Sequence, residues 1–535
     1  MQHTSRYQAR GLAPAVCGAC PRALALVLAL LASIAYCGAR ARAAAAAEDQ
    51  HLLSPGNTTY YVDSHRGDDA NSGAAPDKAW RTLDRVNAVT FAPGDRILFR
   101  AGTRYTGQLR PQGSGKEGAP IVIRSFGEGP RPRIDGEGKV SEAVLLHNVE
   151  YWEVNDLEIT NTGEPGKGGR SGVAVSLHDF GTAHHLHLKN LYVHDVNGSN
   201  VKGHGRSGII WGNGGRRVKS RFDGLLIENC HLVRTDRNGI TGWSDHWQHT
   251  DWFPSLNVVI RGNLLEDIGG DGIVPIGCDG ALIERNILRG GRRRAEDYAA
   301  GIWPWSCDNT VIQFNEVSGM RGDRDGQGFD SDWNCRNTLI QYNYSHDNDG
   351  GFLLICNDGS SKPPVNAGNV GTVVRYNISQ NDGARTFQIS AVKDTAIYNN
   401  TIYVGEGMDV LGVFHHSWGG WAESTTFSNN IFYAKGTVRY EFGESTGNVF
   451  TNNVFYGNHQ DRPEEPKAIT ADPLLVSPGT GDDGIHSVSG YQLRPGSPCL
   501  GAGVPIANNG GRDFWGNPVP KAGAPDIGAH QIGRR

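Results

Sequence analysis

Residues 301–357 read GIWPWSCDNTVIQFNEVSGMRGDRDGQGFDSDWNCRNTLIQYNYSHDNDGGFLLICN. Two near-identical phrases sit inside this stretch, CDNTVIQFN at 307–315 and CRNTLIQYN at 335–343, with an offset of 28 residues. Between them, Phe329-Asp330-Ser331-Asp332-Trp333 puts two carboxylates at i and i+2. A phrase repeated at this interval is the mark of a solenoid, in which each repeat supplies one coil.

Working outward, short apolar runs ending in Asn recur at Asn190, Asn229, Asn263, Asn286, Asn315, Asn343, Asn377, Asn400, Asn430 and Asn453. From Asn229 the gaps are 34, 23, 29, 28, 34, 23, 30 and 23. The floor of 23 is one coil of a parallel β-helix, and the excess is loop insertion. After each Asn, a Gly followed by an apolar residue opens a further strand: Gly208-Ile209, Gly239-Ile240, Gly272-Ile273, Gly301-Ile302, Gly328-Phe329 and Gly351-Phe352. With each Ile or Phe pointing inward, strand alternation predicts an outward column. It runs Thr241 and Trp243, Val274 and Ile276, Trp303 and Trp305, Asp330 and Asp332, Leu353 and Ile355. The fold expected is all-β, a single-stranded right-handed parallel β-helix with an N-terminal cap.

The ends set the boundaries. Arg6, Arg10 and Arg22 precede an apolar run over 23–36 and a small-residue stretch at 43–47, the pattern of a signal peptide over 1–47. The protein is therefore expected to be secreted, with no membrane span. Residues 48–136 are assigned to the cap and first coils, 137–460 to the β-helix catalytic domain, and 461–535 to a closing segment over the last coil. Without residues 1–47 the chain has 46 basic and 56 acidic residues, a net charge of −10. That balance argues against nucleic acid as a partner and favours a neutral or mixed glycan, bound by a monomer. Cys278, Cys307 and Cys335 each stand eight residues before a repeat Asn, which predicts a buried stack of thiols. A bridge between neighbours stays open in an oxidising compartment.

Asp330 and Asp332 are the first candidates for chemistry. On one strand face their Cα atoms lie about 6.5–7 Å apart. Mutual repulsion can then divide acid and base roles between them. Asp349 is a third candidate, as an alternative partner of Asp330. Trp303, Trp305 and Trp243 suit stacking on sugar rings. His246, His346, Lys393, His415 and Trp418 are further substrate contacts. No cofactor is required for this chemistry; the acidic group Asp323, Asp325, Asp330 and Asp332 makes calcium the alternative reading, and no confident metal ligand set is found.

The entry segment around Tyr60-Tyr61-Val62-Asp63, the Asn- and Gly-marked coils and the closing Pro525-Asp526-Ile527-Gly528-Ala529 resemble the pectate-lyase-like superfamily of right-handed parallel β-helices. Within it, Gly328-Phe329-Asp330-Ser331-Asp332 and the run from Tyr342 to Phe352 resemble secreted bacterial carbohydrate-active proteins. The resemblance implies a fold that hosts lyases, hydrolases, epimerases and tailspikes, so activity rests on the site. The Asn-x-Asp, Asp-Asp and Gly-His-Gly set of polygalacturonases is not in register, although Gly203-His204-Gly205 occurs upstream. The Asp-Pro-His-Asp element of alginate epimerases is absent. These features favour a secreted glycoside hydrolase working by carboxylate acid/base catalysis. The alternatives are a calcium-dependent polysaccharide lyase with Lys393 or an Arg as base, and a non-catalytic glycan-binding surface protein.

Overall fold

The computed structural model describes residues 52–357, 366 and 368–532. The leader assigned to 1–47, with Cys17, Cys20 and Cys37, lies outside them. Leu52 onward forms one unit, a right-handed parallel β-helix.

Each coil contributes to three parallel sheets. One holds the runs that precede the repeat Asn residues, such as Leu282–Glu284, Val311–Gln313, Leu339–Gln341 and Val373–Arg375. Their registers are continuous, Leu282 to Val311 to Leu339 to Val373. A second sheet follows the corner, with Glu316–Ser318, Tyr344–His346 and Ile378–Gln380 side by side. The third begins at the Gly markers and runs through Ser207–Gly214, Asn238–Thr241, Ile273–Val274, Gln327–Ser331, Gly351–Cys356 and Arg385–Ser390. It carries the functional cleft described below.

The Asn residues act at the corner between the first two sheets. From Asn263 onward the residue before each one adopts a left-handed φ, as at Phe314 (56°), Tyr342 (57°) and Tyr376 (51°), whereas Asn190 and Asn229 take that φ themselves and stand one residue ahead of the ladder. The turn this produces aims the Asn amide along the stack. The Asn286 backbone N–H and Nδ2 both donate to Asn315 Oδ1, at 2.9 and 3.0 Å. Asn315 donates in the same way to Asn343, Asn343 to Asn377, Asn377 to Asn400, Asn400 to Asn430 and Asn430 to Asn453. The Glu465 carboxylate ends the series, accepting from Asn453 N–H and Nδ2 at 2.8 and 2.9 Å. Each Nδ2 also serves a backbone carbonyl, as Asn343 Nδ2 does at Ile312 O. Buried backbone groups need partners, and the ladder supplies them where the sheets break. Replacing Asn343 by Leu strands the Asn315 donors and the Ile312 carbonyl together. We expect a cost of about 3 kcal/mol, read as a lower urea midpoint.

The interior is apolar, with an aromatic file of Phe329, Phe352 and Phe387 at 6.1 and 5.5 Å between successive ring centroids. Cys278, Cys307 and Cys335 are buried in the same core as free thiols. The short helix Leu83–Asn87, N-capped by Thr82, buries Leu83 and Val86 against it near the chain's start. No helix of the described residues is long and apolar enough to cross a membrane.

Two expectations change. The closing segment does more than cover the last coil. Leu475, Val488, Tyr491 and Leu493 form a second core with Tyr344, Ile378, Tyr403 and Ile431. The segment therefore runs back along the outside of the second sheet, where those aromatic and aliphatic side chains face outward. The outward column also slips by one residue at its last coil. Gly351 pairs with Gln327, and Leu353 with Phe329, not Phe352 with Phe329. Gly351 takes φ +128° with its Cα hydrogens against Arg385 O, where a Cβ would lie at 1.6 Å. The extra residue turns Leu353 and Ile355 into the core and sends Leu354 and Cys356 outward, since a one-residue shift exchanges strand faces.

Candidate active site

Over the third sheet lies a cleft of about 630 Å³. Its floor is the outward column: Thr241, Val274, Ile276, Trp303, Trp305, Asp332, Leu354 and Cys356. Trp243, 49% exposed, Trp333, Tyr298 and Trp418 extend the aromatic lining. The insertion after Trp243 folds over it, with Trp247 against Trp305 at 4.6 Å between ring centroids and Trp305 at 6.3 Å from Trp333. Tyr298 and Trp418 meet at 6.1 Å. Such a surface suits the C–H faces of sugar rings.

Three carboxylates line the cleft: Asp271, Asp325 and Asp332. Asp332 follows the strand Gln327–Ser331, and its Oδ1 accepts from Trp333 N–H at 2.7 Å and from the Cys356 thiol at 3.1 Å. Burial keeps that thiol protonated, and so a donor. Burial pushes the Asp332 carboxyl up to about 6, against the opposing pull of Cys356 and Lys202. Asp325 sits on the loop before the same strand, at φ +61°. Its carboxyl is also pushed up to about 6, by burial, with Lys202 opposing and Asp332 adding to the rise. Two carboxyls in one cleft, both titrating near neutrality, form the pair that acid/base chemistry needs.

Asp271 is structural. Its Oδ1 accepts from Trp303 Nε1 at 3.1 Å and from Ala300 N–H, and its Oδ2 pairs with Arg237 at 3.2 Å. Arg237, 1% exposed, also binds Asp297 at 3.1 Å. Asp297 in turn accepts from Lys202 N–H at 2.6 Å. One buried guanidinium thus ties the Trp303 platform to the loop bearing Lys202. The Lys202 ammonium lies 5.0 Å from the Trp303 ring centroid. Burial works against its charge, yet Asp271 and Asp332 hold its pKa above the ordinary lysine value.

Asp330 and Asp332 stay close, in one cluster with Cys356 whose ligand atoms lie within 4.8 Å, but of the two only Asp332 lines the cleft. Strand pairing puts Asp330 between Trp303 and Leu354 of the flanking coils. Asp330 is 3% exposed, does not line the cleft, and its Oδ1 has no hydrogen-bond partner. Burial, and then the charge of Asp332, raise its pKa well above the carboxylate range. Asp330 thus lies covered between two residues of the cleft floor, where burial favours its protonated form.

Asp349 is exposed in a turn, where Oδ2 accepts from Gly322 N–H at 2.8 Å. His346 lies on the second sheet, stacked on Tyr344 and bonded to Asp347, away from the cleft. His246 is buried against Asp251 at 2.7 Å, and His415 against Ser445 at 2.8 Å. Lys393 belongs to the first sheet and pairs with Glu423 at 2.8 Å. Of the substrate contacts expected from sequence, Trp243, Trp303, Trp305 and Trp418 are on the cleft. Asp325, Lys202 and Asp271 were not singled out for catalysis or substrate contact; only Asp325 carried a signal, as part of the acidic run. Calcium does not fit the Asp330, Asp332 and Cys356 cluster, whose ligand atoms lie within 4.8 Å. The ion takes six to eight oxygens, whereas this set holds a thiol and two carboxyls with raised pKa values.

No family model matches the chain. Its sequence resembles a lacto-N-biosidase. That protein, from Bifidobacterium longum, is 29% identical over an alignment of 612 positions covering 91% of this chain and 37% of the relative. The chain thus spans little more than a third of that relative's length. Among solved structures, the GH136 lacto-N-biosidase from Eubacterium ramulus superimposes with a TM-score of 0.58 at 27% identity, covering 74% of this chain and 68% of that one. XylC in complex with xylose gives a TM-score of 0.51 at 11% identity, a likeness of fold alone.

Proposed function

We propose that the cleft is the active site of a glycoside hydrolase that cleaves an oligosaccharide or polysaccharide, with Asp325 and Asp332 as its working carboxylates. The observation that carries this reading is their common placement in an aromatic cleft with both pKa values raised to about 6. The likeness to two lacto-N-biosidases supports it and makes a lacto-N-bioside the first substrate to try.

Hydrogen bonding divides the roles. Asp332 Oδ1 receives two donors, which favour its ionised form. Once Asp332 is ionised, its charge helps Asp325 keep a proton. Asp325 is then the general acid, protonating the glycosidic oxygen as the bond breaks. Asp332 meets the positive charge that develops at the anomeric carbon, by direct attack or through a water. Lys202 holds Asp332 ionised and can donate to a sugar hydroxyl. Its raised pKa suits neither role that a lyase needs from a base, since the ammonium stays protonated at neutral pH.

The active form carries one proton on the pair. We expect kcat/KM to peak near pH 6, falling on the acid side as Asp332 protonates and on the alkaline side as Asp325 ionises. A pH profile on an aryl lacto-N-bioside checks this, and a flat profile from pH 4 to pH 8 contradicts the pair. Digestion of a panel of neutral oligosaccharides tests the reaction class. Reducing-end products support hydrolysis, ultraviolet-absorbing unsaturated products indicate a lyase, and binding without cleavage indicates a glycan-binding protein.

A further inference from the structure

Away from the cleft, the first sheet carries a second cluster of reactive side chains. Strand Thr182–Lys189 contains the run His184-His185-Leu186-His187. Leu186 and Leu188 are buried in the core, so His187 points outward. His185 lies at φ +50°, opposite Gly224 at φ +93°, and this paired irregularity turns its ring to the same side. His187 pairs in register with Glu153 of strand Trp152–Asn155, whose side chain also faces out between buried Trp152 and Val154.

The three side chains converge. His185 Nε2 is 2.9 Å from Glu153 Oε1, and His187 Nδ1 is 3.8 Å from the same oxygen. One ligand atom from each lies within 4.8 Å of the others. The two imidazoles meet at 3.8 Å between centroids with their planes tilted by 35°, and Tyr151 stacks on His185 at 6.0 Å. His187 Nδ1 is buried and makes no hydrogen bond. A buried ring nitrogen without a partner is costly to leave unmatched, and it lies near the Glu153 oxygen. Lys189 sits on the opposite carboxylate oxygen, Oε2, at 3.4 Å, which leaves Oε1 to the histidines.

The geometry points to a binding site for a divalent transition-metal ion of the zinc class, held by Glu153 Oε1, His185 Nε2 and His187 Nδ1, with a remaining position for water. Two imidazoles and one carboxylate suit zinc, nickel or copper and not calcium or magnesium, which take oxygen ligands. Tetrahedral bonds of about 2.0–2.2 Å place ligand atoms about 3.4 Å apart, so the 2.9 Å contact of His185 opens slightly and the 3.8 Å contact of His187 closes slightly around an ion. An ion here joins two adjacent coils, and its role is structural.

The test is zinc titration by calorimetry on tag-free protein stripped of metal, followed by thermal unfolding with and without zinc. We expect one tight zinc per chain and a higher unfolding midpoint. His187→Ala and Glu153→Gln should each weaken binding about tenfold or more, with activity in the cleft unchanged. If His187→Ala folds poorly, His185→Asn gives the same reading. No saturable binding by the wild type, or equal affinity in all three variants, overturns the site. Neither result bears on the hydrolase reading, because the cleft lies on a different sheet.

Discussion

On the proposed mechanism, Asp332→Asn is expected to lower kcat by about 10⁴-fold with the fold unchanged, because it removes the ionised group assigned to the charge at the anomeric carbon. Asp325→Asn lowers kcat by about 10²- to 10⁴-fold on an oligosaccharide. The loss is much smaller on an aryl glycoside whose leaving group needs no protonation, and that contrast identifies the acid. Asp330→Asn replaces a buried acid, whose protonated form burial favours, with an amide of similar shape, so it is expected to change kcat by less than about tenfold. Steady-state kinetics on paired aryl and oligosaccharide substrates separates the three. Stability gives an independent check. Both carboxyls are raised by folding, so the native state binds more protons than the unfolded chain between about pH 4 and pH 6. Stability from these groups is full below the unfolded pKa and is lost as pH rises through about 6. Asp325→Asn and Asp332→Asn should therefore raise the unfolding midpoint at pH 8 and leave it nearly unchanged at pH 4.

Arg237→Met has the second large effect, on stability and on the cleft together. The guanidinium is 1% exposed and is held by Asp271, Asp297, Asn238 Oδ1 and Tyr298 O. Removing it leaves the Asp271 carboxylate, also 1% exposed, buried without its cation. Breaking one side of such a pair costs about 3–5 kcal/mol, which chemical denaturation would read directly. The same substitution frees Asp297 from one of its two loop contacts and loosens the Asp271 acceptor that fixes Trp303. KM should rise more than kcat falls, since Trp303 binds the sugar and does not react with it. Adding Asp271→Asn to Arg237→Met removes the stranded charge and should recover part of the lost stability. A double substitution no better than the single one contradicts this reading.

Most of the fold was legible because its devices repeat. Asn286, Asn315, Asn343 and Asn377 recur because each must meet the next along the ladder, so the requirement prints itself on the sequence at every coil. The Gly markers gave the third sheet's register up to Gly328. The slip came at Gly350-Gly351, where two glycines offer two registers and only the approach of Arg385 O selects one. The floor of the cleft was legible for the same reason: isolated bridges beside Trp303 and at Trp305, and the strand end before Asp332, keep the alternation. Asp325, Lys202 and Asp271 were not, since the first two lie on loops with no period. Asp271 faces inward to Arg237 from a strand start. His246, His346 and His415 lie off the cleft, each turned through Nδ1 to a partner, Asp251, Asp347 or Ser445, that spacing alone does not reveal.

The most direct measurement is mass spectrometry of oligosaccharide products formed in water labelled with heavy oxygen, using the wild type and Asp332→Asn side by side. A hydrolase at this cleft puts one labelled oxygen on the new reducing end in the wild type and makes almost no product in the variant. Fragments that carry no label and bear a double bond, or equal labelled product from Asp332→Asn, would contradict the assignment of the cleft and its carboxylates.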